Sequence, residues 1–130
     1  MHERKRRIYY HDTDAGGIVY HANYLRFCEE SRMELFLERG LNVADISKEH
    51  KCHFVTVHSV INWRAPAYLN EVITVKSKIG KINRSSMLLH HQIERDGKLL
   101  SEIDITLVCV SLGQNKATRL PDELRKALMP

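Results

Sequence analysis

Residues 9–24 read YYHDTDAGGIVYHANY, and this stretch is denser in reactive side chains than the rest of the chain. It holds two carboxylates, two histidines, two adjacent glycines and four tyrosines. The Asp, Thr and Gly residues between positions 11 and 17 favour a loop. Because the pattern becomes helical directly afterwards, the stretch predicts a loop that ends at the N-terminus of a helix.

The helix is predicted from about His21 to Arg39 by the spacing of its side chains. Positions i, i+3, i+4, i+7 and i+11 share one helix face, and they are occupied by Tyr24, Phe27, Cys28, Ser31 and Leu35. Burial over much of the circumference is expected because three more apolar residues lie elsewhere on it, namely Leu25, Phe36 and Leu37. Gly40 makes a suitable C-terminal stop, and a short second helix is predicted near Val43–Lys48.

Most of the remaining chain has the pattern of β-strands. The predicted strands are Lys5–Tyr10, Phe54–Arg64, Val72–Ile79, Ser86–Arg95 and Leu99–Leu112. In Phe54–Arg64 the odd positions are mostly apolar, which predicts one apolar face formed by Val55, Val57, Ile61 and Trp63. The Asp96-Gly97 pair predicts a hairpin turn, and Pro121–Leu128 predicts a closing helix.

This order of elements predicts an α+β fold. A single long helix cannot cover both faces of a five-stranded antiparallel sheet, so we expect the sheet to wrap around it. An edge strand that is left open invites pairing with another copy. We therefore expect at least a homodimer.

Composition limits the class of protein. The chain has 130 residues, 43% hydrophobic and 28% charged, which predicts one globular domain over residues 1–130. No apolar run approaches the ~20 residues that span a bilayer, and no apolar segment follows the basic start Met1–Arg7, which argues against a secretory signal. The three cysteines form no C-x-x-C motif, which argues against disulfides or a thiolate zinc site and favours the cytoplasm.

The net charge of +4 suits nucleic acid, an anionic membrane surface or an anionic small ligand. The basic residues are scattered apart from Arg4–Arg7, whereas nucleic-acid-binding proteins cluster them among aromatic residues. We therefore expect no nucleic-acid partner. The absence of G-x-S-x-G, P-loop and dinucleotide motifs argues against several common enzyme classes.

The loop and the helix start together suggest a chemistry. A helix N-terminus carries unpaired N–H groups and a positive dipole end, which can polarise a carbonyl. A carboxylate held nearby can attack that carbonyl or activate water, so acyl transfer or hydrolysis follows as a reaction class. The alternative is that Asp12 or Asp14 only braces the turn and that the glycines only supply positive φ.

Residues Tyr10–Arg32 resemble the signature of the hotdog-fold acyl-CoA thioesterases. The similarity is to the YbgC-like, Tol-Pal-associated branch, of which 4-hydroxybenzoyl-CoA thioesterase is a relative. The family pattern is roughly Tyr-x-Asp-Thr-Asp-Ala-Gly-Gly-x-Val-Tyr-His-Ala-Asn-Tyr, and His11 stands at a position that is often acidic. Two later stretches, Trp63–Ala67 and Leu107–Val110, also look familial.

The resemblance implies a hotdog fold, a five-stranded antiparallel sheet wrapped around a long central helix. It implies a homodimer or homotetramer with the site at the dimer interface. Asp14 matches the catalytic carboxylate, acting as nucleophile or general base. The backbone N–H of His21 would polarise the thioester carbonyl, and the His21 side chain and Tyr10 would orient groups and handle protons.

The resemblance also implies a place for coenzyme A. Related enzymes hold its phosphates near the turn formed here by Lys81, Asn83, Arg84 and Ser85, with Arg64 as a further candidate; the alternative is a solvated turn. No bound cofactor is expected. No metal is expected either, because His11, Asp12, Asp14 and His21 match no standard metal-binding spacing.

Three other groups have weaker claims to a function. Cys28 on the apolar helix face favours a core residue over a nucleophile. Glu29 is the fallback acid, because another hotdog branch takes its carboxylate from the central helix; the alternative is a solvated or ion-paired residue. His90 and His91 alternate across a strand and are interpreted as structural or surface residues.

The predicted function is hydrolysis of acyl-CoA to a free acid and CoA. One alternative is a thioesterase acting on acyl carrier protein, which uses the same chemistry. Another is a non-catalytic acyl-CoA-binding or partner protein near the cell envelope, because the branch is associated with the Tol-Pal cluster. Retention of Asp14, His21 and Tyr10 favours catalysis.

Overall fold

Five strands form one antiparallel sheet in the computed structural model, which describes residues 1–129. They are β1 (His2–Arg7), β2 (Cys52–Trp63), β3 (Val72–Ile82), β4 (Ser86–Arg95) and β5 (Lys98–Ser111). Their order across the sheet is β1-β3-β4-β5-β2, so β1 and β2 are the edges. The predicted α+β class with a five-stranded antiparallel sheet is confirmed.

Helix α1 (Asn23–Glu38) packs against one face of this sheet, here termed the inner face. Its buried side chains are the predicted ones with Phe36 added: Tyr24, Phe27, Cys28, Ser31, Leu35 and Phe36. The expectation of burial over most of the helix is wrong, because Met33 and Leu37 are exposed on its far side. Two shorter helices follow, α2 (Val43–His50) and α3 (Asp122–Leu128).

Strand β1 ends earlier than the β-prone residues of this segment predict. The predicted strand was Lys5–Tyr10, but the extended segment is His2–Arg7 and a 3-10 turn covers Tyr10–Asp12. The reason is the carboxylate of Asp12, which accepts the Tyr9 N–H at 2.8 Å and bends the chain out of the sheet. Tyr9 and Tyr10 therefore lie outside the strand, at the start of the 3-10 turn.

A β-bulge in β2 makes the predicted apolar face wrong. The register against β5 shifts between Thr56 and His58, and one extra residue reverses the alternation of a strand. Before the bulge, Phe54 and Thr56 stand beside the buried residues of β5; after it, Ile61 and Trp63 do so. Val55, before the bulge, is on the opposite face from Ile61 and Trp63.

The β4–β5 hairpin forms where Asp96-Gly97 predicts it. Asp96 has φ 50° and Gly97 has φ 79°, the left-handed conformation that Asp and Gly tolerate. On β4, His91 is buried on the inner face and its Nδ1 lies 2.7 Å from Ser77 Oγ. His90 points to the outer face, so the predicted opposition of the two histidines is confirmed.

All three cysteines are buried, and burial raises the pKa of the Cys28 thiol to about 12. Cys28 is therefore a core residue, as predicted. Among residues 1–129, the helices are too short or too polar to cross a membrane.

Candidate active site

The segment Asp12–His21, here termed the acidic loop, is a narrow turn closed by backbone hydrogen bonds. The N–H of Asp14 donates to Ile18 O at 2.9 Å, and the N–H of Tyr20 donates to Asp12 O at 3.0 Å. Gly17 sits at the tip with φ 81°, a conformation that favours glycine. The loop therefore brings the residues around Asp14 back towards the start of α1.

The acidic loop is fastened to the segment that joins β2 to β3. Val19 N–H donates to Ala67 O at 2.9 Å, and Ile18 forms a β-bridge with Tyr68. The Ala67 N–H in turn donates to the hydroxyl of Tyr24 at 3.3 Å. These contacts join the two familial stretches of the sequence, the loop and Trp63–Ala67, into one structural unit.

The carboxylate of Asp14 is exposed on the acidic loop. One oxygen, Oδ1, accepts the N–H of Gly16 at 2.8 Å. No basic side chain among residues 1–129 forms an ion pair with it. Asp14 thus braces the turn through one oxygen, as the alternative interpretation expected, while the other oxygen is open to a substrate or a water molecule.

The N-terminus of α1 has no side-chain cap. The N-cap residue is Ala22, which has no capping group, and the side-chain amide of Asn23 donates to Asp12 O at 2.7 Å. Within residues 1–129, the backbone N–H groups of His21 and Ala22 have no backbone acceptor. An uncapped helix start presents N–H donors and a positive dipole end, so this geometry can polarise a carbonyl.

The other two predicted catalytic side chains are placed differently. The His21 ring is exposed, 4.4 Å from the Tyr20 ring and 6.1 Å from the indole of Trp63 in an edge-to-face arrangement. Tyr10 is 82% exposed. In the part of the chain that the structure describes, no hydrogen bond joins Tyr10 to Asp14 or His21, so its role stays a prediction.

Asp12, the other acid of the loop, is fully buried at 0% exposure. Its carboxylate binds the guanidinium of Arg6, with Nη1 to Oδ2 at 2.7 Å, and also that of Arg26. Burial alone would raise the pKa of Asp12, but the hydrogen bonds from Arg6 and from Tyr9 N–H outweigh it and hold the pKa below its usual value. Asp12 is a charged structural residue.

A cleft of about 340 Å³ opens beside the acidic loop. Its walls are mostly apolar, formed by Ile18, Val19, His21, Tyr24, Trp63, Arg64, Ala65 and Pro66. A concave apolar surface beside a few polar groups is the usual form of a small-molecule site. Of these wall residues, the sequence predicted His21 and Arg64 as site residues and missed the others, although the second familial stretch begins at Trp63.

The predicted CoA contacts fall into two places. Arg64 lies at the cleft, where its guanidinium is 3.1 Å from the carboxylate of Glu102. The Lys81–Ser85 turn joins β3 to β4 at the opposite end of the sheet, about 30 Å away at the rise of an extended strand. Within one chain, Arg64 and this turn therefore do not form a single binding site.

Two other candidates lie away from the cleft. Glu29 is exposed on α1, and within residues 1–129 it has no ion pair, which fits the solvated interpretation. Among the described residues, one group has metal-ligand spacing: Glu49, His50 and Glu123 offer ligand atoms within 4.8 Å of one another. These three are exposed and contribute nothing to the cleft; His50 and Glu123 are paired at 3.1 Å.

A model of the thioesterase-like superfamily matches residues 9–128 of this sequence. The chain therefore belongs to that superfamily, and the resemblance to hotdog-fold thioesterases is confirmed.

Proteins similar to this chain are named as thioesterases. The acyl-CoA thioesterase YbgC of Haemophilus influenzae is 31% identical over 121 residues, 93% of this chain and 89% of that protein. The long-chain acyl-CoA thioesterase FadM of Escherichia coli is 36% identical over 115 residues, 85% of this chain and 83% of that protein. A probable thioesterase from Bartonella henselae matches in structure with a TM-score of 0.87 and 29% identity, covering 92% and 98% of the two chains.

Proposed function

We propose that this protein is an acyl-CoA thioesterase that hydrolyses its substrate to a free acid and CoA. The observation that carries the proposal is an exposed carboxylate, Asp14, in a closed loop whose later residues line an apolar cleft and lead into an uncapped helix start. The acyl group would occupy the cleft. The similarity to proteins named acyl-CoA thioesterases supports the substrate class.

In the proposed reaction, the thioester carbonyl lies against the N–H of His21. That donor stabilises the oxyanion that forms when the carbonyl is attacked, a contribution of roughly 10²–10³ in rate. If Asp14 is the general base, it takes a proton from the attacking water, the C–S bond breaks, and the sulfur leaves as the CoA thiol with that proton. If Asp14 is the nucleophile, its carboxylate forms a mixed anhydride with the acyl group as the C–S bond breaks, and water then hydrolyses the anhydride, which releases the acid, restores the carboxylate and supplies the proton of the thiol.

The proposed active form is a dimer joined through the β2 edges. Val57, Val60 and Trp63 on this strand are exposed large hydrophobic residues, which suit an interface. Ser85 O accepts the N–H of Cys109, which stands opposite Phe54 near the start of β2. If two β2 strands pair antiparallel about a two-fold axis, the Lys81–Ser85 turn of a second copy comes to the end of the sheet where the acidic loop lies.

Such a dimer would unite the two groups of predicted CoA contacts, since each site would use Arg64 from one copy and Lys81, Asn83, Arg84 and Ser85 from the other. A homotetramer could be built from two such dimers. A reducing compartment such as the cytoplasm suits the three buried free thiols. No bound metal or cofactor takes part in the proposed mechanism.

The test is thiol release from a panel of short, long and aromatic acyl-CoA esters, with and without a chelator. Turnover that survives the chelator supports the proposal, and the preferred ester identifies the acyl group. The same panel on acyl carrier protein separates the alternative carrier. Binding of acyl-CoA without turnover of any ester would contradict the proposal and favour the non-catalytic alternative.

The dimer has its own test in mixed oligomers. An Asp14→Asn chain and a chain with Lys81→Ala and Arg84→Ala are each expected to be weakly active alone. In a mixed dimer, one site regains an intact Asp14 and an intact turn, so activity should rise on mixing. A mixture with no more activity than its separate components would contradict a site shared between two copies.

A further inference from the structure

Arg6 links β1 to two elements of the candidate active site, the acidic loop and α1. It lies on β1, its Nη1 donates to Asp12 in the acidic loop at 2.7 Å, and its Nε donates to Glu30 on α1 at 2.8 Å. The guanidinium also stacks over the Phe27 ring, 4.3 Å from the centroid. Its side chain is 10% exposed, so these contacts are largely shielded from solvent.

Asp12 connects Arg6 to the residues on both sides of His21. While its carboxylate is held by Arg6, its backbone oxygen accepts the N–H of Tyr20 at 3.0 Å and the side-chain amide of Asn23 at 2.7 Å. Tyr20 and Asn23 flank His21, and Asp14 follows Asp12 by two residues. The position of Asp12 therefore sets both the carboxylate of Asp14 and the N–H groups at the helix start.

We propose that Arg6 is a positioning residue that fixes the distance between the Asp14 carboxylate and the N-terminus of α1. It acts through Asp12 and Glu30 and does not touch the substrate. The proposal rests on the proposed thioesterase function. Its physical basis is that an arginine fork can hold two carboxylates in a fixed geometry, and that a misplacement of about 1 Å can cost roughly 10²-fold in rate.

The chain supplies a matched control two residues away. Arg4 lies on the same strand and donates to the same oxygen, Glu30 Oε1, at the same 2.8 Å. It makes no contact with Asp12. Arg4→Lys therefore disturbs the link between β1 and α1 and leaves the link to the acidic loop intact, whereas Arg6→Lys weakens both.

The experiment compares Arg6→Lys, Arg6→Met and Arg4→Lys with the native chain, at a temperature well below the melting point of each. We expect kcat for thiol release to fall roughly 10-fold in Arg6→Lys and up to about 100-fold in Arg6→Met. KM should stay within about twofold, because the cleft is intact. Arg4→Lys should keep kcat within about twofold. Amide hydrogen exchange of residues 13–22 should accelerate in both Arg6 variants and not in Arg4→Lys.

A native-like kcat in Arg6→Lys and Arg6→Met overturns the proposal, as does an equal loss in Arg4→Lys, which would show a general effect of β1. A loss that follows only the unfolded fraction also overturns it. If Arg6→Met does not fold, Arg6→Lys decides. If the native chain turns over no ester, the proposed function fails separately, and unchanged exchange of residues 13–22 in Arg6→Lys would then overturn the positioning role.

Discussion

Asp12 and Asp14 stand two residues apart in one loop, yet their surroundings differ in nearly every physical respect. Asp12 is fully buried, and its carboxylate is bound by Arg6 and Arg26. Asp14 is exposed and its carboxylate accepts a single backbone N–H. Asp12 thus holds the loop and keeps its charge at a lowered pKa, while Asp14 is left available for chemistry.

The different roles of Asp12 and Asp14 follow from the hydrogen bonds that each carboxylate accepts. A buried carboxylate is tolerated when nearly all its lone pairs are used, and a carboxylate used in this way has little capacity left for a substrate. Asp14 keeps one oxygen open. We therefore expect substitution of Asp14 to act on the rate alone, and substitution of Asp12 to act mainly on stability and, through the position of the loop, more weakly on the rate.

The largest expected effect is on the rate. Asp14→Asn removes the general base or nucleophile but keeps an oxygen that can accept the Gly16 N–H, so the loop should hold its shape. We expect kcat to fall roughly 10³-fold, within the range for loss of acid–base catalysis, with a melting temperature close to that of the native chain. Thiol-release assays measure kcat and calorimetry measures the melting temperature, both on the same preparation. A variant that keeps a tenth or more of the native kcat would contradict the assignment.

The second effect is on stability. Asp12→Asn leaves two arginines facing a neutral group, and removing one partner of a buried ion pair costs about 3 kcal/mol or more in unfolding free energy. Denaturant unfolding measures the change. Asp122→Asn is the control, because Asp122 pairs with Arg119 at the surface and such pairs contribute about 0–1 kcal/mol. Equal losses in the two variants would show that Asp12 is not a special anchor.

The third effect is a loss of stability at low pH. Burial, helped by nearby Arg32, lowers the pKa of His91 to about 3. Since the unfolded chain takes up this proton near pH 6.5 and the folded chain does not, stability is complete above pH 6.5 and is lost as the pH falls towards 3. The free energy of unfolding should be lower by about 2 kcal/mol at pH 5 than above pH 6.5.

His91→Gln should remove most of this dependence between pH 7 and pH 5, and His90→Gln, on the outer face of the same strand, should not. Unfolding free energies at several pH values decide the matter. A native chain whose stability is flat over this range would contradict a buried, neutral His91.

The smallest effect is on substrate binding. Trp63 lines the cleft and is 51% exposed, whereas Leu37 is 50% exposed on the far side of α1 and does not line the cleft. Trp63→Ala should raise KM about fivefold for the preferred ester, because an aromatic wall is lost, and should leave kcat within about twofold. Leu37→Ala should change neither constant. A change in kcat alone for Trp63→Ala would instead implicate its contact with His21.

Much of the fold could be predicted from the sequence because the decisive signals are local. The spacing from Tyr24 to Leu35 gave the buried face of α1, and Asp96-Gly97 gave the hairpin. The bulge in β2 could not be predicted, since Val55, Val57, Ile61 and Trp63 look like one continuous face. Only the pairing with β5 reveals that an extra residue between Thr56 and His58 reverses it.

The candidate site was predictable in its outline but not in its assembly. The family motif singled out Asp14 and His21, and the structure brings both into one closed loop. The partners of Asp12 come from positions 6 and 26, outside the loop, so no local pattern distinguished the two acids. The Lys81–Ser85 turn illustrates the same limit, because its relation to the loop depends on a second copy of the chain.

The most direct measurement compares Asp12→Asn with Asp14→Asn. For each variant it gives the melting temperature and the kcat per folded molecule. We predict that Asp14→Asn keeps the melting temperature and loses roughly 10³-fold in kcat, while Asp12→Asn loses several degrees of melting temperature and keeps more of its kcat. The opposite pattern, an inactive but stable Asp12→Asn beside an active Asp14→Asn, would contradict the account.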